Sequence, residues 1–335
     1  MRQLALAKKL LWLTVGSIFI TVFVLSSVLW WQLSNSNQQL AAQSEKLIVA
    51  EVEDKLASNA AAYGEQVAGF INEAYRVPYS FAAILGDHDA ATTLTRDAVV
   101  EVNRSLLKKN TILSSIYSQF EANAFDGRDA NFISGYDHSV AGVGTLDIYF
   151  TRNRDGAIEQ QVVDDAAEKY VDTLNEFGQR EAEWYLCVKD TKVPCIMEPY
   201  LYEITPGYSE MMTSLTVPIL RDNEFIGVAG VDLTLPVFQS MTEKLSKELY
   251  NGKARVTLLS SLDLVVGSSH YKDKLGRPLK EAVTKSTLDN YVKAKNQSGV
   301  FKVGDEYLVT YKIRIKLIKI IFIITTYSIN TFSKN

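Results

Sequence analysis

MMTSLTVPILRDNEFIGVAGVDLTL, residues 211–235, holds two apolar runs, 211–219 and 225–233, on either side of a short polar connection. Both are rich in β-branched residues, so they read as strands, and the short connection makes them antiparallel neighbours. Outward toward the N-terminus, 195–202, 184–188, 145–152 and 112–120 carry the same β-branched and aromatic signature, and 96–110 reads as a helix. Toward the C-terminus lies a smaller set: strands 254–259 and 264–268 around 260–263, a helix near 279–295, and strands 299–303 and 307–311 around Gly304-Asp305. The fold class is therefore α+β, with two tandem antiparallel-sheet modules.

Ahead of them, residues 10–31, LLWLTVGSIFITVFVLSSVLWW, contain no charge. At about 1.5 Å per residue a helix of this length crosses the roughly 30 Å of bilayer hydrocarbon. Lys8 and Lys9 before it and Trp30 and Trp31 at its end place the N-terminus in the cytoplasm and the chain beyond Trp31 outside the cytoplasm. A cleaved signal peptide is the rival reading, but the run exceeds an h-region and Trp-Trp-Gln-Leu is a poor cleavage site. Val49, Val52, Leu56, Ala60, Tyr63, Val67, Phe70, Ala74 and Val77 then recur at steps of three and four, one stripe on a long helix ended or kinked by Pro78. Such a stripe must pack on its own domain or on a second copy of itself, so a homodimer is expected.

Composition narrows the chemistry. The chain has 335 residues, 47% hydrophobic and 22% charged, which excludes disorder, and its two cysteines and three histidines exclude a disulfide miniprotein and a His/Cys-rich metal centre. Arg2, Lys8, Lys9, Arg314, Lys316, Lys319 and Lys334 sit at the ends without acids; removing these seven positives from the net charge of −4 leaves −11 on residues 10–312, which disfavours nucleic acid. No phosphate-binding Gly-rich loop and no Gly-x-Ser-x-Gly elbow occurs, and His88 and His138 lack a nucleophile partner, so no catalytic residues, cofactor or metal are expected. Asp164-Asp165 and Glu181/Glu183 read as solvated surface. Cys187 and Cys195 flank an expected hairpin centred near Thr191. An oxidising compartment would let them pair across adjacent strands, while two buried thiols that never bond are the other reading.

Ser115–Asp129 as SIYSQFEANAFDGRD, Gly135-Tyr136-Asp137, Tyr149-Phe150-Thr151-Arg152, Trp184-Tyr185, Glu198-Pro199-Tyr200-Leu201-Tyr202, Met212-Thr213-Ser214-Leu215 and Gly227–Asp232 as GVAGVD stand in this order after a single transmembrane helix. In that order they resemble the double Cache sensor domain of bacterial methyl-accepting chemotaxis receptors. The resemblance covers roughly residues 34–312. It implies a dimerising stalk helix (34–92), a membrane-distal PAS-like module (93–240) that binds a small molecule, and a membrane-proximal PAS-like module (250–312), expected to be incomplete, after a cytoplasmic start (1–9) and a membrane helix (10–33). By chemistry, Tyr149, Phe150, Trp184, Tyr185, Tyr200 and Tyr202 with Arg152 and Asp232 suit a small zwitterion: Arg and ring donors for a carboxylate, Asp and aromatic faces for an ammonium. Each aromatic has a plain core role as its alternative, and Asp232, in the apolar run IGVAGVDLTL, must meet a cation, a ligand amine or hydrogen-bond donors, or serve a local turn.

Amino-acid-sensing relatives carry an Arg two residues before Trp-Tyr and an Asp two residues after the Tyr of Pro-Tyr. Here Ala182 and Tyr202 stand at those places. If the strand extends back, Arg180 shares a face with Trp184 and substitutes for the missing Arg. The expected ligand is an amino acid, then a taurine-like or other small amine, then a carboxylate. Residues 313–335 break the pattern, with no Ala, Gly, Val or acid, and are expected to be a truncated or frameshifted end, with a makeshift last strand or a short interfacial segment as alternatives. The sequence thus reads as the periplasmic sensor region of a chemotaxis transducer anchored in the inner membrane, passing its signal to a kinase and coupling protein present in full-length relatives. The alternatives are the input domain of a sensor kinase or diguanylate cyclase, a tethered hydrolase, or a structural homodimer.

Overall fold

The computed structural model describes residues 2–87, 90–205, 207–249, 252, 254–295, 299–303, 306–315 and 318–327. His88 and the Gly304-Asp305 turn lie outside the described residues. The chain divides into two units, residues 1–56 and 57–335.

The first unit is helical, part of α1 (Arg2–Gly86). Its apolar run is exposed from Leu10 to Leu33, and among the described residues this is the one helix long and apolar enough to cross a membrane. Thr14, Ser17, Thr21 and Ser27 donate to carbonyls three or four residues back, so these hydroxyls need no partner outside the helix.

In the second unit α1 continues through Pro78 to Gly86 and buries Ala60, Tyr63, Val67, Ile71, Ala74, Tyr75, Phe81 and Leu85. The stripe extends beyond Pro78, which does not end the helix. At Gly86 a Cβ would lie 2.3 Å from the Leu220 carbonyl oxygen, so the helix end approaches the sheet backbone more closely than any side chain permits. After α2 (Ala90–Thr93) comes α3 (Arg96–Lys109), capped by Thr95, whose side chain accepts from the Ala98 amide.

The first sheet has the order β3-β2-β1-β7-β6-β4, with β5 on β6. Its strands are β1 (Ser115–Phe120), β2 (Asp147–Arg152), β3 (Ile158–Gln161), β4 (Cys195–Ile196), β5 (Tyr200–Thr205), β6 (Tyr208–Arg221) and β7 (Glu224–Thr234). The β6–β7 hairpin is the pairing expected from 211–235, and Asp222 and Asn223 at its turn adopt positive φ of 52° and 63°. One expected strand is not a strand: 184–188 lies in helix α4 (Glu183–Thr191). The apolar spacing of Tyr185 and Val188, both buried, is three, which suits a helix face as well as a strand.

Helix α5 (Leu235–Glu248) leaves β7 directly and packs on the second sheet, of order β10-β11-β12-β8-β9. That sheet comprises β8 (Ala254–Leu259), β9 (Val265–Ser268), β10 (Gly299–Val303), β11 (Glu306–Ile315) and β12 (Ile318–Tyr327), with α6 (Lys285–Ala294) beside it. β12 falls in the segment expected to be an aberrant end. It pairs with β11 and β8 and thereby joins the two hairpins of the sheet, so residues 318–327 form a strand whatever the origin of the segment. Ile-rich β-branched composition suits that central place. One apolar core joins α1, α3, the inner face of the first sheet and residues Val256, Leu258, Val266, Ile313 and Ile315 of the second.

Candidate functional site

Strand alternation sorts the first sheet into two faces. Ile116, Phe150 and Val231 are register partners and lie in the core under α1 and α3. Their neighbours Ser115, Thr151 and Asp232 are also register partners, and Ser214 pairs with Asp232, so these point to the opposite face. On that face Tyr117, Tyr149, Gly230 and Met212 also stand, and β5 adds Tyr200 and Tyr202.

Asp232 is the centre of this face. It is 1% exposed and accepts hydrogen bonds from Ser115 Oγ and from Ser214 Oγ at 2.6 Å. The Tyr200 hydroxyl lies 2.8 Å from Ser214 Oγ and 3.4 Å from Asp232 Oδ1, with one proton to give to either. Burial raises the Asp232 pKa, and the three hydroxyls pull it back only in part. Among the described residues no cation reaches this carboxylate.

A chain of edge-on rings encloses it. Trp184 meets Tyr117 at 5.4 Å between centroids, Tyr117 meets Tyr149 at 6.0 Å, Tyr149 meets Tyr202 at 5.8 Å and Tyr202 meets Tyr200 at 6.5 Å. Burial, and next the charge of Asp232, push Tyr117, Tyr149 and Tyr200 well above the ordinary phenol range, so all three stay neutral. The Tyr117 hydroxyl is buried near Ser214 and makes no hydrogen bond of ordinary geometry among the described residues. Gly230 makes room for it: a Cβ there would sit 2.2 Å from the Tyr117 ring.

Three of the expected residues are not in this group. Phe150 is wholly buried in the core on the other face, with the Arg104 guanidinium 5.0 Å above its ring. Arg152 shares Phe150's face and donates to the carbonyls of Leu113 (3.2 Å) and Leu107 (2.6 Å), the latter in the last turn of α3, where a cation also complements the helix dipole. The expected pairing of Arg152 with Asp232 across a ligand is therefore corrected: period-2 alternation sends adjacent β2 residues to opposite faces. Tyr185 points elsewhere as well, donating to Glu121 Oε1 at 2.8 Å. Arg180 does not substitute for the missing arginine, since it is paired with Glu183 and, at 2.7 Å, with Asp190. Ala182 is buried at the start of α4.

Cys187 and Cys195 are joined, with Cα atoms 6.4 Å apart, but by a bridge from α4 to β4 rather than across a hairpin. Glu121 gathers Lys189, Tyr185 and Tyr170; burial opposes its charge, but these donors hold its pKa below the ordinary value. Asp147, on the Asp232 face of β2, meets Lys169 Nζ at 2.9 Å, and Lys169 also donates to the Phe120 carbonyl at 2.7 Å. Sequence reading missed Tyr117, Ser115, Ser214 and this ion pair. Tyr117 was legible in principle, as the residue opposite a strand glycine, whereas Lys169 comes from a 3-10 turn that no periodicity marks.

Residues 148–240 match the first PDC sensor domain of methyl-accepting chemotaxis protein-like proteins. The methyl-accepting chemotaxis protein TlpQ of Pseudomonas aeruginosa is 30% identical over 200 residues, 59% of this chain and 27% of that relative. The chain thus spans about a quarter of the length of this curated relative. Among solved structures, methyl-accepting chemotaxis protein X superposes with a TM-score of 0.65 at 20% identity, over 84% of this chain and 98% of that one. The ligand-binding domain of the Pseudomonas aeruginosa PAO1 amino acid chemoreceptor PctC, solved with GABA, superposes with a TM-score of 0.51 at 13% identity, over 82% and 99%. These likenesses carry the fold: two PAS-like antiparallel-sheet modules on a long N-terminal helix.

Proposed function

We propose that this chain, whose fold is the double Cache sensor region of a chemoreceptor, binds a small organic amine through Asp232 in the first module. The observation that carries this is a fully buried carboxylate held by three hydroxyls, flanked by four tyrosine rings and reached by no cation among the described residues. An ionised carboxylate in such a place is costly alone, and an ammonium ion relieves that cost while rings supply cation-π attraction. The Tyr117 hydroxyl is a spare donor for a second polar group. Arg152 and Arg180 are engaged elsewhere, so the amine is the required feature and a ligand carboxylate an optional one. Amino acids fit this description, and the fold neighbour solved with GABA supports it.

In this reading the helix spanning 10–31 anchors the chain in the inner membrane, the modules stand in the periplasm as a homodimer, and occupancy biases the helix that enters the bilayer. The chain turns over nothing; a kinase and coupling protein act through the remaining length that the relative has. The full chain in detergent, titrated with GABA, taurine, propylamine and propionate, tests the reading. The three amines are expected to raise the melting temperature, by the equivalent of about 2.7 kcal/mol at a hundredfold excess over Kd, and the Asp232→Asn variant to lose the response. Stabilisation by propionate alone, or an unchanged response in the variant, overturns it.

A further inference from the structure

Glu198 belongs to the segment between β4 and β5, two residues before Tyr200. It is 5% exposed, yet its partners come from the second module: Oε1 accepts from Ser261 Oγ and from the Leu262 amide at 3.1 Å, both in the turn between β8 and β9. The segment is fastened to the Asp232 strands as well. The Met197 amide donates to the Ser214 carbonyl at 2.9 Å and Thr213 Oγ1 donates to the Met197 carbonyl at 2.6 Å. Ser214 in turn donates to Asp232, and Tyr200 touches both. Four residues of one segment thus hold the aromatic enclosure at one end and the second module at the other.

Glu198 Oε2 is buried and has no partner among the described residues. Glu198 also lines a small pocket between the modules, with Met197, Thr213, Phe238, Ser260 and Ser261 among the other walls. Thr213 has given its proton to Met197, but the Ser260 hydroxyl in the same pocket accepts from the Leu264 amide and keeps a proton to give, so the unsatisfied oxygen has an alternative partner close by. That is the requirement for an element with two discrete arrangements rather than a rigid strut.

We propose that Glu198 is a positioning residue that couples the Asp232 enclosure to the second module by exchanging hydrogen bonds with the 260–262 turn. The proposal rests on Asp232 being the ligand-sensing centre, but its test uses no ligand, so the two readings fail separately. Hydrogen exchange is measured on the full chain in detergent. Glu198→Ala is expected to speed exchange of the Leu262 amide by about tenfold, the loss of one charge-assisted hydrogen bond, and Glu198→Gln, which keeps an acceptor, to restore most of the protection. Asp232→Asn is expected to change exchange in the 260–264 turn by severalfold when Glu198 is present and to have no effect there in the Glu198→Ala background. Ser261→Ala, an exposed change that removes one of the two bonds, reports the same coupling if Glu198→Ala does not fold, by shrinking the response to Asp232→Asn. Unchanged Leu262 exchange in Glu198→Ala, an Asp232→Asn response that persists without Glu198, or no response of the turn to Asp232→Asn overturns the proposal.

Discussion

Asp147 and Asp232 stand on the same face of the same sheet, both essentially removed from water, and they have opposite surroundings. Asp147 meets Lys169 through both oxygens and also accepts from the Phe120 amide and Thr145. Asp232 has hydroxyls only, among the described residues. The first site is closed: its countercharge and donors come from inside the protein, and a ligand has nothing to add. The second lacks an internal countercharge among the described residues, which is why it is the site proposed for a cation from solution. What separates the two carboxylates is the countercharge, not burial, which they share.

The sharpest way to break the contrast is Lys169→Met, which turns the closed site into an open one. It leaves Asp147 buried without its cation and is expected to cost about 3–5 kcal/mol of folding stability in urea denaturation. Asp232→Asn is expected to do the reverse. Amine affinity should fall by about 2–5 kcal/mol in calorimetric titration, while the empty protein stays as stable as wild type or gains. If Asp232→Asn unfolds the domain as Lys169→Met does, the carboxylates are equivalent and the contrast is void.

Acid sharpens it next. Burial raises the folded pKa of Asp232, so the empty folded protein holds that proton at pH values where the unfolded chain has lost it. Stability from this group therefore falls as pH rises from the ordinary aspartate range through the raised folded value. Glu121 runs the other way: its lowered pKa means stability present above the ordinary glutamate value and lost as pH falls through the folded one. The melting-temperature gap between wild type and Asp232→Asn should thus narrow on acidification, and a gap that widens contradicts the assignment. Amine binding, which needs the carboxylate ionised, should weaken over the same acid range.

Two substitutions carry smaller effects. Tyr117→Phe removes a buried hydroxyl that has no partner of ordinary geometry among the described residues, and is expected to change stability by about 1 kcal/mol or less, in the stabilising direction, in thermal unfolding. Smallest of all, Arg152→Ala should leave amine affinity within about 0.5 kcal/mol of wild type, because its guanidinium serves α3 on the far face; a larger loss in titration would return Arg152 to the site.

Much of this was legible before folding. The alternating β-branched runs around 211–235 specified the central hairpin, the uncharged stretch 10–31 the membrane-length helix, and the placement of a lone Asp in IGVAGVDLTL a carboxylate needing special partners. The inclusion of Phe150 and Arg152 beside Tyr149 ignored a signal already present, since neighbours on a strand cannot share a face. Trp184-Tyr185 failed for another reason. Five residues with two buried positions three apart satisfy a short strand or a helical turn equally, and contacts with β6 and β7 settled the matter for the helix.

By itself the chain determined its periodicities, its charge-free span and the chemical types available to a site, because these depend on residues near in sequence. Only the tertiary structure decided which carboxylate found a lysine. Lys169 and Asp147 are 22 residues apart, and Asp232 met Ser115 across 117. The energy of a buried charge depends on what lies within a few ångströms, and chain closure over such distances sets that.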